Sequence, residues 1–323
     1  MRRTIRKILV TGGAGFIGSE FVRQGVKRGY RLFVIDALSY AGDLTRIKEV
    51  SKDIHFEKTD ICAKEKLEII FKREKFDSIV HFAAETHVDR SLKDNTPFIR
   101  TNILGTQHLI DLSLKYGVKT FAHISTDEVY GQSLKGFFKE TDPLKPRNPY
   151  AVTKASGELL VQAAIHSFNF PAIIIRPANN YGPWQFPEKL IPVVISKSLN
   201  DQRVPVYGKG HQIREWLHVA DCANGVFQIL EKGKVGEIYN IGSCFERCNI
   251  DTVKTILKLL GKSVDLIQFV PDRPGHDFRY SVDCEKLCKL GWHPEVSFDE
   301  GIAGTIAWYK INQRWLKAKS SHQ

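Results

Sequence analysis

No run of this 323-residue chain approaches the roughly 20 consecutive apolar residues that a membrane-spanning helix needs, and none is expected to cross a bilayer. The opening MRRTIRKILVTGG is basic, but its apolar stretch is too short for a secretory signal and leads straight into a glycine-rich turn. A cytoplasmic protein is therefore expected. Internal repeats and low-complexity linkers are missing too, which argues against a repeat array or a flexibly tethered chain. The net charge is +11, yet the basic residues are scattered through KRGYR, FKREKF and QRWLKAKS, with no dense run and no interleaved aromatic code. That distribution reads as a solvated basic surface, and no nucleic acid is expected as a partner. Cysteine is sparse, with six residues. Cys244 and Cys248, and again Cys284 and Cys288, stand in C-x3-C spacing, whereas structural zinc more often uses C-x2-C. Independent reduced thiols and no metal are the expectation.

What the chain does contain is alternation. Short apolar runs at 7–12, 32–36, 54–58, 78–83, 120–125 and 172–177 are separated by helix-like stretches such as GSEFVRQGVKRG and AKEKLEIIFKREK. Continuous apolar strands, each followed by a helix, indicate a parallel sheet covered on both faces. Right-handed crossovers make this an α/β fold, a Rossmann-type doubly wound parallel sheet. After Pro177 the rhythm breaks into ANNYGPWQFPEKLIP, and later strands (VPVYG, REWLHV, GEIYNIG) are short. The division expected is a dinucleotide-binding domain at 1–177, with a returning segment near 215–241, and a smaller α/β substrate-binding lobe at 178–323.

LVTGGAGFIGSEF places Gly12, Gly15 and Gly18 in G-x-x-G-x-x-G spacing between the first strand and the first helix. Glycines permit the tight turn, and the helix N-terminus then offers free N–H groups to a pyrophosphate. Asp36 ends the second strand, where a carboxylate accepts hydrogen bonds from ribose hydroxyls and repels a 2′-phosphate. NAD is favoured over NADP.

YAVTK puts Tyr150 and Lys154 one helical turn apart on one face. An ammonium beside a phenol favours the phenolate, so the Tyr150 pKa is expected to move down toward the working range. Thr126 ends a preceding strand. These residues resemble the short-chain dehydrogenase/reductase superfamily. In STDEVYG the acids Asp127 and Glu128 follow Thr126 directly. Oxidation of a sugar hydroxyl to a ketone acidifies the proton on the next carbon. One ionised carboxylate can remove that proton, while one protonated carboxyl helps a hydroxyl leave as water. Two close acids in a low-dielectric cleft suit this, because repulsion and desolvation raise at least one pKa. In an extended strand, however, neighbouring side chains point opposite ways, so both acids reach one substrate only if the chain turns there. Loop solvation or a helix cap is the plainer reading of the pair.

STDEVYG, HFAAETHVDRS, NNYGPWQFPEKLIP, GKGHQIREWLHVAD and DRPGHDFRYSVD together resemble the nucleotide-sugar 4,6-dehydratases over nearly the whole chain, in particular those acting on dTDP-glucose. The resemblance implies that Asp127 is the acid toward the C6 hydroxyl and Glu128 the base for the C5 proton. Thr126 orients the C4 oxygen, Tyr150 is the base at C4, and Lys154 supports it. It places Phe16 and Ile17 with the glycines, Ser39, Asp60 and Ile61 around the adenosine, and Ala83, Thr101, Tyr150 and Lys154 along the NAD cleft. Asn180, Lys189, Arg214, Asn249, Arg273 and His276 are expected to grip the nucleoside diphosphate, with Pro205 and Tyr207 flanking the base. Departures from the family pattern are Thr153 for Ser, Trp184 for Tyr, Cys222 for His, and Ala178 before the Asn pair. A homodimer is implied through a four-helix bundle of NILGTQHLIDLSLKYG and YAVTKASGELLVQAAIHSF. UDP-glucose remains an alternative substrate. A 4-epimerase needs no acid pair, and a non-catalytic NAD sensor would show a degraded catalytic set.

Overall fold

The computed structural model describes residues 7–320. Along the first half run β1 (Lys7–Thr11), α1 (Phe16–Lys27), β2 (Arg31–Asp36), β3 (Ile54–Lys58), α2 (Lys64–Glu74) and β4 (Ser78–His81). Short helices α3 (Val88–Lys93) and α4 (Thr96–Phe98) follow, then α5 (Thr106–Lys115), β5 (Thr120–Ile124), α6 (Pro149–Phe168) and β6 (Ala172–Pro177). The helix expected over 102–117 is not uniform: Ile99–Gly105 winds as a π-helix before the α-helical turns begin. Helix α6 starts where local chemistry dictates. The Asn148 side chain accepts from the Ala151 N–H at 2.9 Å, and Pro149 occupies the first turn, where its missing N–H costs nothing.

The remaining elements are β7 (Asn179–Tyr181), α7 (Leu190–Leu199), β8 (Val204–Tyr207), β9 (Ile213–His218), α8 (Val219–Lys232), β10 (Ile238–Ile241), β11 (Glu246–Cys248), α9 (Asn249–Leu260), β12 (Ile267–Val270), α10 (Glu285–Cys288), α11 (Phe298–Ile311) and α12 (Gln313–Ser320). Seven strands form one parallel sheet in the order β3-β2-β1-β4-β5-β6-β10. Its last strand comes from far along the chain, with Ile238 paired to Ile174. Every residue of β5 and β6 is buried, which is why both read as unbroken apolar runs. On one face α1 and α8 pack together through Phe21 and Phe227, stacked at 4.0 Å. The other face is covered by α2, α5 and α6. A separate core of Tyr181, Val194, Val204, Val253, Ile256 and Ile302 holds the smaller lobe, whose sheets run β11-β9-β7 and β12-β8.

The strand order reverses between β1 and β4, which opens a crevice beyond their carboxyl ends. Among the described residues, no helix is long and apolar enough to cross a membrane. The cysteines are free thiols. Folding brings Cys244 and Cys284, each from a different C-x3-C pair, near enough for each thiol to shift the other's pKa. The pairing crosses segments remote in sequence and leaves no trace in local spacing.

Candidate active site

The floor of the crevice is backbone. Gly12 has φ +69°, and a Cβ there would lie 2.6 Å from the Ala83 nitrogen. A Cβ on Gly18 would meet the Gly12 carbonyl oxygen at 2.2 Å, so neither position admits a side chain. Helix α1 begins at Gly15 with no side chain capping it, leaving its first N–H groups open to a cavity lined by Gly12, Gly15, Phe16, Ile17 and Gly18. Uncapped donors at the positive end of a helix dipole fit a diphosphate. The buried Asp36 carboxylate accepts from the Ala14 and Leu38 N–H groups at 3.0 and 2.8 Å. Burial pushes its pKa up, and those two N–H groups oppose the rise. Asp36, Ser39, Asp60, Ile61, Ala83 and Thr101 line a recess continuous with Gly12 and Gly15. The residues present fit a dinucleotide.

The turn that the acid pair required is there. A 3-10 turn, Asp127–Tyr130, starts directly after Thr126, whose hydroxyl accepts from the Glu128 N–H at 3.3 Å and donates to Asp127 Oδ1 at 3.2 Å. Thr126, Asp127, Glu128, Tyr150 and Lys154 consequently line one cavity together with the glycine loop. Asp127 is 2% exposed, and its Oδ2 has no hydrogen-bond partner. Burial, then the charges of Glu128 and Glu215, push its pKa well above the usual carboxylate range. Glu128 is held differently, its Oε2 accepting from Asn148 Nδ2 at 3.0 Å and the Tyr280 hydroxyl at 3.4 Å.

Tyr150 departs from expectation. Burial, Glu128 and Asp127 push its pKa up, and the hydrogen bond with Thr126 only partly offsets them. Lys154 does not supply the expected downward pull, because Nζ donates to the Ile124 carbonyl at 2.6 Å and burial lowers its own pKa to about 8. Sequence spacing put phenol and ammonium on one helix face but carried no information about the two carboxylates packed against the phenol.

A second cleft, sharing Glu128, Asn180 and Lys189 with the first, is lined by Pro205, Tyr207, Arg214, Asn249, Arg273 and His276. Its cations are partly engaged. Arg214 donates to the Ile213 and Asp277 carbonyls at 2.7 and 2.9 Å and lies 4.4 Å from the Tyr280 ring centroid. Lys189 Nζ donates to the Thr86 carbonyl at 2.8 Å, and Arg273 pairs with Asp89 at 3.4 Å. The Tyr207 hydroxyl donates to Asp89 at 3.1 Å, and His276 Nδ1 lies 2.6 Å from Asp272. Sequence reasoning missed Asn148, Tyr280 and Glu188. Asn148 was visible as a helix cap before Pro149. The other two acquire meaning only through contacts remote in sequence, such as the 3.0 Å hydrogen bond from the Tyr40 hydroxyl to Glu188.

The family described as GDP-mannose 4,6 dehydratase matches residues 9–305. A dTDP-glucose 4,6-dehydratase of Streptomyces niveus is 43% identical over 324 residues, covering 98% of this chain and 96% of its own. The chain belongs to this nucleotide-sugar 4,6-dehydratase family. Among solved structures, DesIV, a dTDP-glucose 4,6-dehydratase from Streptomyces venezuelae with NAD bound, superposes with a TM-score of 0.94 at 41% identity over 97% of this chain and 99% of that one. UDP-glucose 4-epimerase from Thermotoga maritima superposes with a TM-score of 0.89 at 30% identity over 95% and 99%. A 4,6-dehydratase and an epimerase thus share the backbone, and the chemistry of this dehydratase must be argued from its side chains.

Proposed function

We propose that the chain dehydrates dTDP-glucose to the 4-keto-6-deoxy sugar nucleotide. The observation that carries this reading is a buried carboxyl with an unpartnered oxygen, Asp127, beside a second acid and a tyrosine on one cavity wall. NAD is the cofactor: the glycine loop, Asp36 and the recess around Ser39 and Thr101 would hold it, and it would supply the hydride acceptor for C4 and the hydride donor for C6. Tyr150 removes the proton of the C4 hydroxyl, and Thr126 orients that oxygen. Lys154 is assigned as the support of Tyr150 in the cofactor cleft that both line. The ketone acidifies C5, whose proton passes to Glu128 and returns to C5 once C6 has received the hydride. Asp127, kept protonated by its surroundings, gives its proton to the C6 hydroxyl, which leaves as water.

Lys189, Arg214 and Arg273 are assigned to the diphosphate, and Pro205 and Tyr207 to the base, in the cleft that adjoins Glu128. We divide the chain into a NAD-binding domain at 1–177, joined by the 215–241 segment, and a nucleotide-sugar lobe in the remainder. A cytoplasmic homodimer is the assembly proposed. Ile99, Leu104, Val152 and Leu159, on the stretch before α5 and on α6, are each 45% or more exposed, an apolar surface that a second copy would bury. The test is to incubate purified protein with dTDP-glucose or UDP-glucose and follow the 4-keto product by its absorbance in alkali. Product from dTDP-glucose is expected. Product from UDP-glucose alone would reassign the base, and none from either would overturn the enzyme.

A further inference from the structure

Arg46 stands outside the glycine loop and the acid pair, on a 3-10 stretch (Leu44–Val50) between β2 and β3, and it is 1% exposed. Nη1 donates to the Ala14 carbonyl at 2.9 Å and to the Ala41 carbonyl at 2.5 Å, and Nε donates to the Trp184 carbonyl at 3.1 Å. Nη2 has no partner. Among the described residues, none of these hydrogen bonds reaches a carboxylate. The acids whose charges reach Arg46 are committed elsewhere. Asp43 accepts from the Trp315 indole at 2.8 Å and pairs with Lys319 at 3.0 Å, and Asp36 accepts from the Ala14 and Leu38 N–H groups. A buried guanidinium met only by neutral carbonyls is costly to a fold, so its place calls for an anion that the free chain does not supply.

The three acceptors belong to three segments that wall the cofactor cavity. Ala14 lies in the glycine loop, and Ala41 lies in the loop that leaves β2 past Ser39. Trp184 opens the segment that brings Gln185, Phe186 and Glu188 to the cavity, and Arg46 lines that cavity together with Gly12 and Gly15. Trp184 holds φ +70°, a strained conformation for a bulky side chain, and both the bond from Arg46 and the Trp308 ring at 4.5 Å help to keep it there. We propose that Arg46 is a positioning residue for NAD, which ties these three segments together and sets a fixed positive charge beside the cavity for the cofactor diphosphate. The charge acts through the field it casts into a poorly screened cavity, and the clamp acts through the carbonyls it holds. Burial lowers the Arg46 pKa to about 10, so the guanidinium stays charged at neutral pH.

The experiment titrates NAD by calorimetry into the dialysed full-length protein and into two variants, and reads thermal midpoints with and without NAD. Arg46→Gln keeps amide donors for the carbonyls but no charge. Its NAD affinity should fall at least ~10-fold, and the rise in midpoint that NAD gives the native protein should shrink accordingly. Arg46→Lys keeps the charge and several donors, and should bind NAD within about threefold of native. Adenosine, which carries no phosphate, should compete equally well for the native protein and Arg46→Gln. A purely structural Arg46 would lower the midpoint of the free variants and leave their NAD affinity within twofold of native. That result for Arg46→Gln, a tenfold loss in Arg46→Lys, or an equal loss for adenosine and NAD would each overturn the proposal.

Discussion

At residue scale, the property that makes Asp127 useful also makes it a burden to the fold. Burial and the neighbouring charges of Glu128 and Glu215 raise its affinity for a proton above that of an unfolded chain. The stability contributed by its protonated form is fully present below the unfolded value of about 3.9 and is lost as pH rises toward the raised folded value. Asp127→Asn removes that slope. The variant should gain on the native protein as pH goes from 4 to 8, ending at least ~1 kcal/mol ahead, because each tenfold change in proton affinity corresponds to about 1.4 kcal/mol. Thermal midpoints at the two pH values measure the gap, and a gap that shrinks with rising pH contradicts the raised pKa. In single-turnover kinetics with dTDP-glucose the same variant should still oxidise C4 but lose water ~100-fold more slowly. Unchanged water loss removes Asp127 as the acid. The sequence pointed to this residue by its neighbours, but only its depth in the fold gives the proton a reason to stay.

At the scale of single elements, helix starts carry double duty. Asn148 caps α6 through one side-chain atom and holds Glu128 through another. Asn148→Ala should therefore cost about 1 kcal/mol of stability and lower turnover together. Asn148→Asp restores the cap but sets a second carboxylate against Glu128, so stability should return while turnover stays low. Chemical denaturation and the alkaline keto-sugar assay separate the two effects, and recovery of both would reduce Asn148 to a cap. At the start of α1, Gly18→Ala places a methyl carbon 2.2 Å from the Gly12 oxygen. The loop must shift, and NAD affinity by titration should fall at least ~10-fold, since diphosphate binding depends on where those N–H groups point. Affinity within twofold of native would show that the loop tolerates the shift. These elements were readable in advance because apolar runs and glycine spacing are local. The π-helical stretch at Ile99–Gly105 was not, since it adds no residue type that an α-helix would refuse.

Across the whole molecule, the sheet is completed by a strand that arrives late. β10 pairs with β6 after the chain has passed through the smaller lobe and back, so neither half closes without the other. Arg176 on β6 and Glu158 on α6 form a buried ion pair that also holds the Tyr130 hydroxyl, tying the acid-bearing turn to the sheet. The exposed apolar residues of α6 lead to a test of assembly. Leu159, 52% exposed, replaced by Asp should convert a dimer to a monomer by light scattering, with little change in the monomer's own helix content. A monomeric native protein, or a variant that remains dimeric, would remove this face from the interface.

Local pattern in the sequence by itself determined the parallel α/β layering, the glycine loop with Asp36, and the shared helix face of Tyr150 and Lys154, because periodicity and turn chemistry act over a few residues. Folding alone decided the rest. It turned the chain at Asp127 so that two adjacent acids face one cavity, drove the Tyr150 pKa up where spacing argued down, and brought Cys244 to Cys284. Each of these depends on burial and on charges contributed from distant segments, quantities that exist only once the chain has closed around them.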